Sequence, residues 1–410
     1  MGKIKNLLFQ VFGYIHFTVN VLLIVPPLTY TSLFSTLLLP KMFKRKSVLI
    51  GLGVVFSIFV FYSIIHFING VDLNYYLKST LFMCFLSCST LAIYVYLESN
   101  LNELAKLFKF LPFVVFGIFV LGIGAYFTDF DHLFWKLHNF EAQGQSIPRY
   151  MGLSYEPSYY ALSITPVFIF CLLKLLFNVT FRNLGIFILV SIPILATLSF
   201  GFFIASFIAL VLSFGLIYLL FKEFKRVLIW PIAMILVSLV AVNLSDNAIS
   251  KRIELIINGN DTSVNGRTVE AFYLGYKCAE QKSVLMGIGP GQIKIIGEEV
   301  IRPYYAAWAP IGYSKENWPI LSIPNSSAET LAIYGVLGLI LRFTFQLFLF
   351  FKFKVYRNYF NLILFIFIFV YQLMGGFITS SMEYVLWIFA ILPIFPEFNL
   401  KQEKKIISFR

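Results

Sequence analysis

The chain has 410 residues, 59% of them hydrophobic and only 13% charged, where a soluble domain carries roughly 25% charged residues. The formal net charge is +12 and the mean hydropathy +0.83. Apolar runs of membrane-crossing length recur from end to end and are continuous rather than alternating. A soluble enzyme and a β-barrel are thereby excluded, and an all-α polytopic membrane protein is expected. The basic residues cluster in short runs between apolar segments, a topology signal; no nucleic-acid partner is expected.

In chain order, Lys3 and Lys5 precede an apolar stretch without a small-residue cleavage site, which reads as an uncleaved first span. Pro26 and Pro27 divide the first apolar region into spans near 7–24 and 27–40. Lys41, Lys44, Arg45 and Lys46 form the densest basic run and are placed inside. Spans follow at 47–68 and 75–97, and residues 98–108 read as an amphipathic stretch at the inner surface. A fifth span is expected at 109–127, followed by a polar outer loop at 128–156. Pro157 suits the first turn of a sixth span ending near 177. Spans at 184–199 and 202–221 flank a tight turn, and a ninth lies at 227–243. A large, partly helical outer loop at 245–326 separates spans nine and ten, and the last three spans cover 327–347, 359–378 and 383–397. The expectation is a single domain of about twelve spans with both termini cytoplasmic, which puts every short basic run on the inner side. In span ten Arg342 is placed to snorkel inward.

The large loop holds eight Lys or Arg, eight Asp or Glu, and no His. Residues 263–281 predict a helix capped by Ser263 or Asn265, with Arg267 in its first turn and an apolar face of Val269, Phe272, Tyr276 and Ala279. Met286 to Gln292 is glycine-rich; such a turn can be a plain turn or can place backbone amides against phosphate. Residues 302–324 are rich in Pro, Tyr and Trp, including Trp308, Tyr313 and Trp318, which suits sugar faces or the membrane interface equally. Asp129-Phe130-Asp131 has metal-ligand spacing but sits at a span end, where an interfacial cap is expected. Neither a Cys/His metal cluster nor a Walker-type loop occurs. Cys84 and Cys88 read as packing residues, and no structural disulfide is expected. His16 and His66 read as packing or interhelical hydrogen-bonding residues, and Glu383 as a helix cap.

Four stretches resemble the O-antigen polymerase and ligase superfamily of bacterial membrane proteins, and the resemblance covers most of the chain. Arg149 to Ser158 looks like that family's outer loop entering a helix. Thr197-Leu198-Ser199-Phe200-Gly201 is similar to its T-x-S-R-G turn, with Phe200 where Arg is common. Gly266-Arg267 followed by Met286 to Gly291 resembles its R…G-x-G-x-G segment. Asn325, separated by nine residues from Gly335-Val336-Leu337-Gly338, is similar to the ligases' H-[NSQ]-x9-G motif, with Pro324 in place of His. That replacement disfavours transfer to a lipid A core.

The resemblance implies a polymerase that joins oligosaccharide repeat units carried on undecaprenyl diphosphate, at the outer face of the bacterial inner membrane. The product would be O-antigen, capsule or exopolysaccharide. It implies no cofactor, metal or nucleotide, with membrane lipid, a chain-length regulator and a flippase as partners. A ligase-type transferase and a multi-span transporter or flippase are the alternatives. Such a reaction needs cations for the departing diphosphate and a base for the acceptor hydroxyl. Arg149 and Arg267 are the candidate catalytic cations and Glu156 the candidate base. Arg302, Asn325, Glu329, Tyr155 and Gly289 are the candidate substrate-binding residues.

Overall fold

The computed structural model describes residues 2–18, 23–25, 28–140, 145–221, 258, 262–306 and 323–400. The helices are α1 (Gly2–Thr18), α2 (Tyr30–Thr36), α3 (Leu39–Met42), α4 (Lys46–Ile68), α5 (Leu73–Glu98), α6 (Leu101–Ala125), α7 (Pro157–Phe177), α8 (Phe181–Ala196) and α9 (Phe200–Phe221). They continue with α10 (Thr262–Asn265), α11 (Val269–Glu280), α12 (Ile293–Ala306), α13 (Ser326–Lys352), α14 (Tyr359–Tyr371) and α15 (Ser381–Ile391). Among the described residues, six helices are by length and composition apolar enough to cross a membrane: α4, α5, α6, α7, α9 and, taken over its whole length, α13. Three shorter apolar helices, α8, α14 and α15, pack among them. This is an all-α membrane architecture, and the expected span at 227–243 lies outside the described residues.

α7 forms the centre of the bundle. Of its apolar window 72% is buried, against 11% for α4, which faces outward. The core around α7 is aromatic. Phe395 packs against Phe170 at 4.6 Å, Phe360 at 4.8 Å and Phe108 at 5.1 Å between ring centroids, two of the three contacts edge-on, a geometry that favours ring quadrupoles. Pro157 occupies the first turn of α7, where its missing N–H costs nothing.

Several expected boundaries move. The span expected at 27–40 is broken: Leu23–Val25 (β1) pairs with Leu28–Thr29 (β2), and α2 and α3 follow. Prolines 26, 27 and 40 each remove an amide donor, and Pro40 stands in the first turn of α3, a position that favours a helix start over a helix interior. The amphipathic stretch 98–108 and the span after it are one helix, α6, whose Leu104, Leu107, Phe108 and Leu111 are buried. The 128–156 loop contains a hairpin of β3 (Trp135–Phe140) and β4 (Gln145–Tyr150). In the segment expected to form the large loop, the helix starts at Val269 rather than Ser263. Its buried face is Ala271, Leu274, Gly275, Cys278 and Ala279, whereas Val269 and Tyr276 are exposed. The expected face is thus rotated, because small residues pack closest against α13. Trp308, Tyr313 and Trp318 lie outside the described residues.

α13 departs furthest from expectation. Gly335 has φ 67° and ψ −169°, which breaks the helix. A straight helix would separate Ser326 from Arg342 by about 24 Å, yet the Arg342 guanidinium donates to the Ser326 hydroxyl at 3.1 Å. The chain therefore folds back at Gly335 into a short limb, 326–334, and a long limb, 336–352. A break inside lipid strands carbonyls and amides that need partners. Residues 284–289 supply them: Ile288 and Gly289 donate to the carbonyls of Ala332 and Ile333, and the amides of Val336 and Leu337 donate to the carbonyls of Val284 and Leu285, all at 3.0–3.1 Å. The approach is so close that a Cβ on Gly287 would stand 2.3 Å from the Ile333 oxygen. The glycine-rich turn is therefore a clasp on a broken helix, and its amides at Ile288 and Gly289 are committed to protein carbonyls. His66 steadies it, bonding the Met286 carbonyl through Nε2 at 2.9 Å and the Tyr76 hydroxyl through Nδ1 at 3.2 Å.

Candidate functional site

The β3–β4 hairpin is fixed by its aromatic face. Trp135 and Tyr150 are directly paired across the strands. The Trp135 indole donates to the Gly122 carbonyl at 2.7 Å, and the fully buried Tyr150 ring packs on Phe119 and Tyr160 at 4.9 and 5.0 Å. Burial pushes the Tyr150 phenol above its ordinary value, and it stays neutral. Side chains alternate along a strand. The next pair, Lys136 and Arg149, therefore points to the other face, and there the two cations stand directly opposite each other.

That face opens on a cavity of about 210 Å³ lined by Lys136, Arg149, Glu156 and Arg267. Its charged lining is three cations and one carboxylate, 3 − 1 = +2. The other walls are Pro157 and Ser158 from the start of α7, Ser199 to Gly201 from the start of α9, Thr268 before α11, and Tyr371 and Met374. Three helix N-termini thus converge, each contributing partial positive charge toward an anion.

Arg149 donates through Nε to the Thr197 carbonyl at 2.9 Å. That carbonyl closes α8 just before Leu198, whose φ of 47° turns the chain sharply into α9. Glu156 precedes Pro157 but makes no capping bond. Its carboxylate meets Lys136 Nζ at 3.5 Å and the Ser158 hydroxyl at 3.4 Å. Arg267 lies in the turn between α10 and α11. Its amide donates to the Val264 carbonyl at 3.1 Å.

Of the residues singled out from sequence, Arg149, Glu156 and Arg267 come together in this cavity. Tyr155 is exposed beside it, its ring 5.7 Å from Lys136 Nζ. Asn325 stands behind Arg267: it caps α13 by accepting from the Ala328 amide at 2.9 Å, and its amide nitrogen donates to the Arg267 carbonyl at 2.7 Å. It is fully buried, so it holds protein rather than ligand. Glu329 is buried deeper in α13, accepting from the Ile378 amide at 2.9 Å. Gly289 is part of the clasp, facing Tyr76 and His66. Arg302 lies on α12 outside the cavity lining, paired with Glu298 at 2.7 Å; that hydrogen bond holds the Glu298 carboxyl below its ordinary value.

Two further assignments change. Arg342 does not snorkel: its Nη2 donates to Glu383 at 2.7 Å within the bundle. Glu383 is correspondingly an ion-pair partner rather than a cap, and α15 starts after Ser380. Asp129 and Asp131 sit at an exposed turn after α6, beside His132. Lys136 was missed from sequence because it fell in a loop read as irregular. The alternation in Trp135-Lys136-Leu137-His138 was the available signal.

A volume of about 210 Å³ lies below the roughly 300–1,000 Å³ of pockets for drug-sized ligands. That volume and the positive lining accommodate a phosphate or diphosphate group. No protein-family model matches the chain, and no curated protein matches it.

Proposed function

We propose that the chain is a polymerase joining oligosaccharide repeat units carried on undecaprenyl diphosphate, at the outer face of a bacterial inner membrane. One observation carries this reading: two cations directly opposed on the hairpin share a cavity with a third, Arg267. Like charges opposed across strands destabilise a sheet, and an anionic ligand offsets that cost. The cavity lies among apolar helices long enough for a membrane, which fits an anion attached to a lipid.

In this reading Lys136, Arg149 and Arg267 hold the diphosphate of the growing chain's carrier. The acceptor hydroxyl of the next unit attacks the anomeric carbon. A glycosidic C–O bond forms while the bond from that carbon to the diphosphate oxygen breaks. The diphosphate leaves with the electron pair, and its charge is met by the three cations and the N-termini of α7 and α9. The proton of the acceptor passes to Glu156, which must first part from Lys136. Arginine suits the clamp because its planar fork binds phosphate through two parallel bonds. A chain-length regulator and a flippase would be its partners.

The test is a deletion strain complemented with variants. The wild-type gene restores a ladder of polymer; Arg149→Ala and Arg267→Ala leave a single repeat at equal protein level. Long polymer from both variants overturns the reading. Full-length polymer retained on its lipid carrier in the deletion strain would instead mark a ligase.

A further inference from the structure

The wall behind Arg267 is built from an unusually dense set of buried polar bonds. Asn325 donates from Nδ2 to two carbonyls, Arg267 at 2.7 Å and Leu373 at 2.8 Å, while its Oδ1 caps the short limb of α13. The next two amides dock on the same segment: Ser326 donates to Gly375 at 3.1 Å and Ser327 to Gln372 at 3.2 Å. Tyr371 and Met374 of that segment face the cavity. Asn325 therefore joins two walls of the cavity, one bearing Arg267 and one bearing Tyr371.

Arg342 secures this joint from the other side. Its Nε donates to Gln372 Oε1 at 2.9 Å, its Nη1 to the Thr330 hydroxyl at 2.9 Å, and its Nη2 to the Ser326 hydroxyl at 3.1 Å and Glu383 at 2.7 Å. One guanidinium thus ties both limbs of α13 to the end of α14 and the start of α15. The fold-back at Gly335 makes this possible, since it returns Arg342 to the start of its own helix. Glu383 is almost wholly buried, and an ion pair with this many hydrogen bonds defines one geometry rather than several.

We infer that Asn325 is a positioning residue for Arg267, held in register by the Arg342–Glu383 ion pair. The inference rests on the reading of the cavity as a diphosphate site. It assigns Asn325 no contact with substrate. Asn325 fixes the Arg267 carbonyl, and through it the direction of the guanidinium into the cavity.

The test uses the full chain in detergent, with inorganic pyrophosphate as the probe and affinity read by calorimetry. Asn325→Ser keeps a capping oxygen and deletes the amide donor; Asn325→Asp keeps shape and cap and deletes the same donor. Both are expected to weaken pyrophosphate binding roughly tenfold, a size usual for directly coupled neighbours. Arg267→Gln is expected to weaken it at least as much. The decisive result is the double variant Asn325→Ser with Arg267→Gln, which binds no more weakly than Arg267→Gln alone. Wild-type affinity in both Asn325 variants overturns the inference, as does a loss in the double variant equal to the sum of the two. If the wild-type chain itself fails to bind pyrophosphate while remaining folded, the diphosphate reading falls first.

Discussion

Lys136 and Arg149 face each other directly across the β3–β4 hairpin, on the side away from the Trp135–Tyr150 pair. Two cations held this way repel; Lys136 meets Glu156 at 3.5 Å and Arg149 donates to the Thr197 carbonyl at 2.9 Å.

Replacing Lys136 should therefore separate stability from activity. Lys136→Gln is expected to leave the thermal midpoint unchanged or raise it by about a degree, because removing a directly opposed like charge is worth up to about 1 kcal/mol. The same variant should lose polymer formation. A fall of several degrees in the midpoint would show that Lys136 is held by structural bonds instead.

The break in α13 tolerates no side chain at Gly335. A Cβ there would stand 2.3 Å from the Leu285 oxygen, and φ is 67°. Gly335→Ala is expected to cost more than about 4 kcal/mol, through backbone strain and loss of the clasp. Gly117 in α6 has nothing within 4 Å of its would-be Cβ. Gly117→Ala should stabilise by about 0.5–1 kcal/mol through helix propensity. Thermal unfolding of the two variants in detergent checks the contrast.

The Arg342–Glu383 pair should behave as a unit. Arg342→Met leaves a buried carboxylate without its partner and is expected to cost about 3–5 kcal/mol. Adding Glu383→Gln should restore much of that loss. A double variant as unstable as the sum of the singles would show that the two residues do not share the bond seen at 2.7 Å.

Cys278 is fully buried where α11 packs on α13, and burial pushes its thiol up to about 12. At pH 7–9 it stays protonated in the folded chain, and N-ethylmaleimide should modify it only after denaturation, as read by mass spectrometry. The linkage has a definite sign. Above the ordinary thiol value the unfolded chain loses its proton before the folded one does, so this group lowers stability between about pH 9 and 12. Below that window it contributes no pH dependence.

Much of the cavity could be read from the chain because its pieces lie in short continuous motifs. Arg149 and Glu156 flank the turn between β4 and α7, and Arg267 precedes α11, so local pattern was sufficient for those three. Lys136 needed a pairing register, which a loop assignment conceals. The break at Gly335 was hidden for another reason. Residues 327–347 are apolar enough on average to read as one span despite Glu329 and Arg342, and hydropathy measures composition, which a fold-back does not change. Arg342 was misplaced in consequence: on a straight helix it has no partner and must reach for water, while on a folded one it finds Ser326, Gln372 and Glu383. Glu383 followed the same error, since its partner was assigned to another depth.

The joint at Gly335 also bears on how such a chain can drift. Four main-chain hydrogen bonds hold residues 284–289 against the break, and main-chain groups carry no record of side-chain identity. Apart from its glycines and the fully buried Ile288, that segment is held by its main chain rather than by its letters. Two chains could share this joint, and the cavity it supports, and align poorly at the positions that build it. A search for relatives of this protein is better anchored on the spacing of glycines 287 and 335 with the charged residues around them than on similarity along the run.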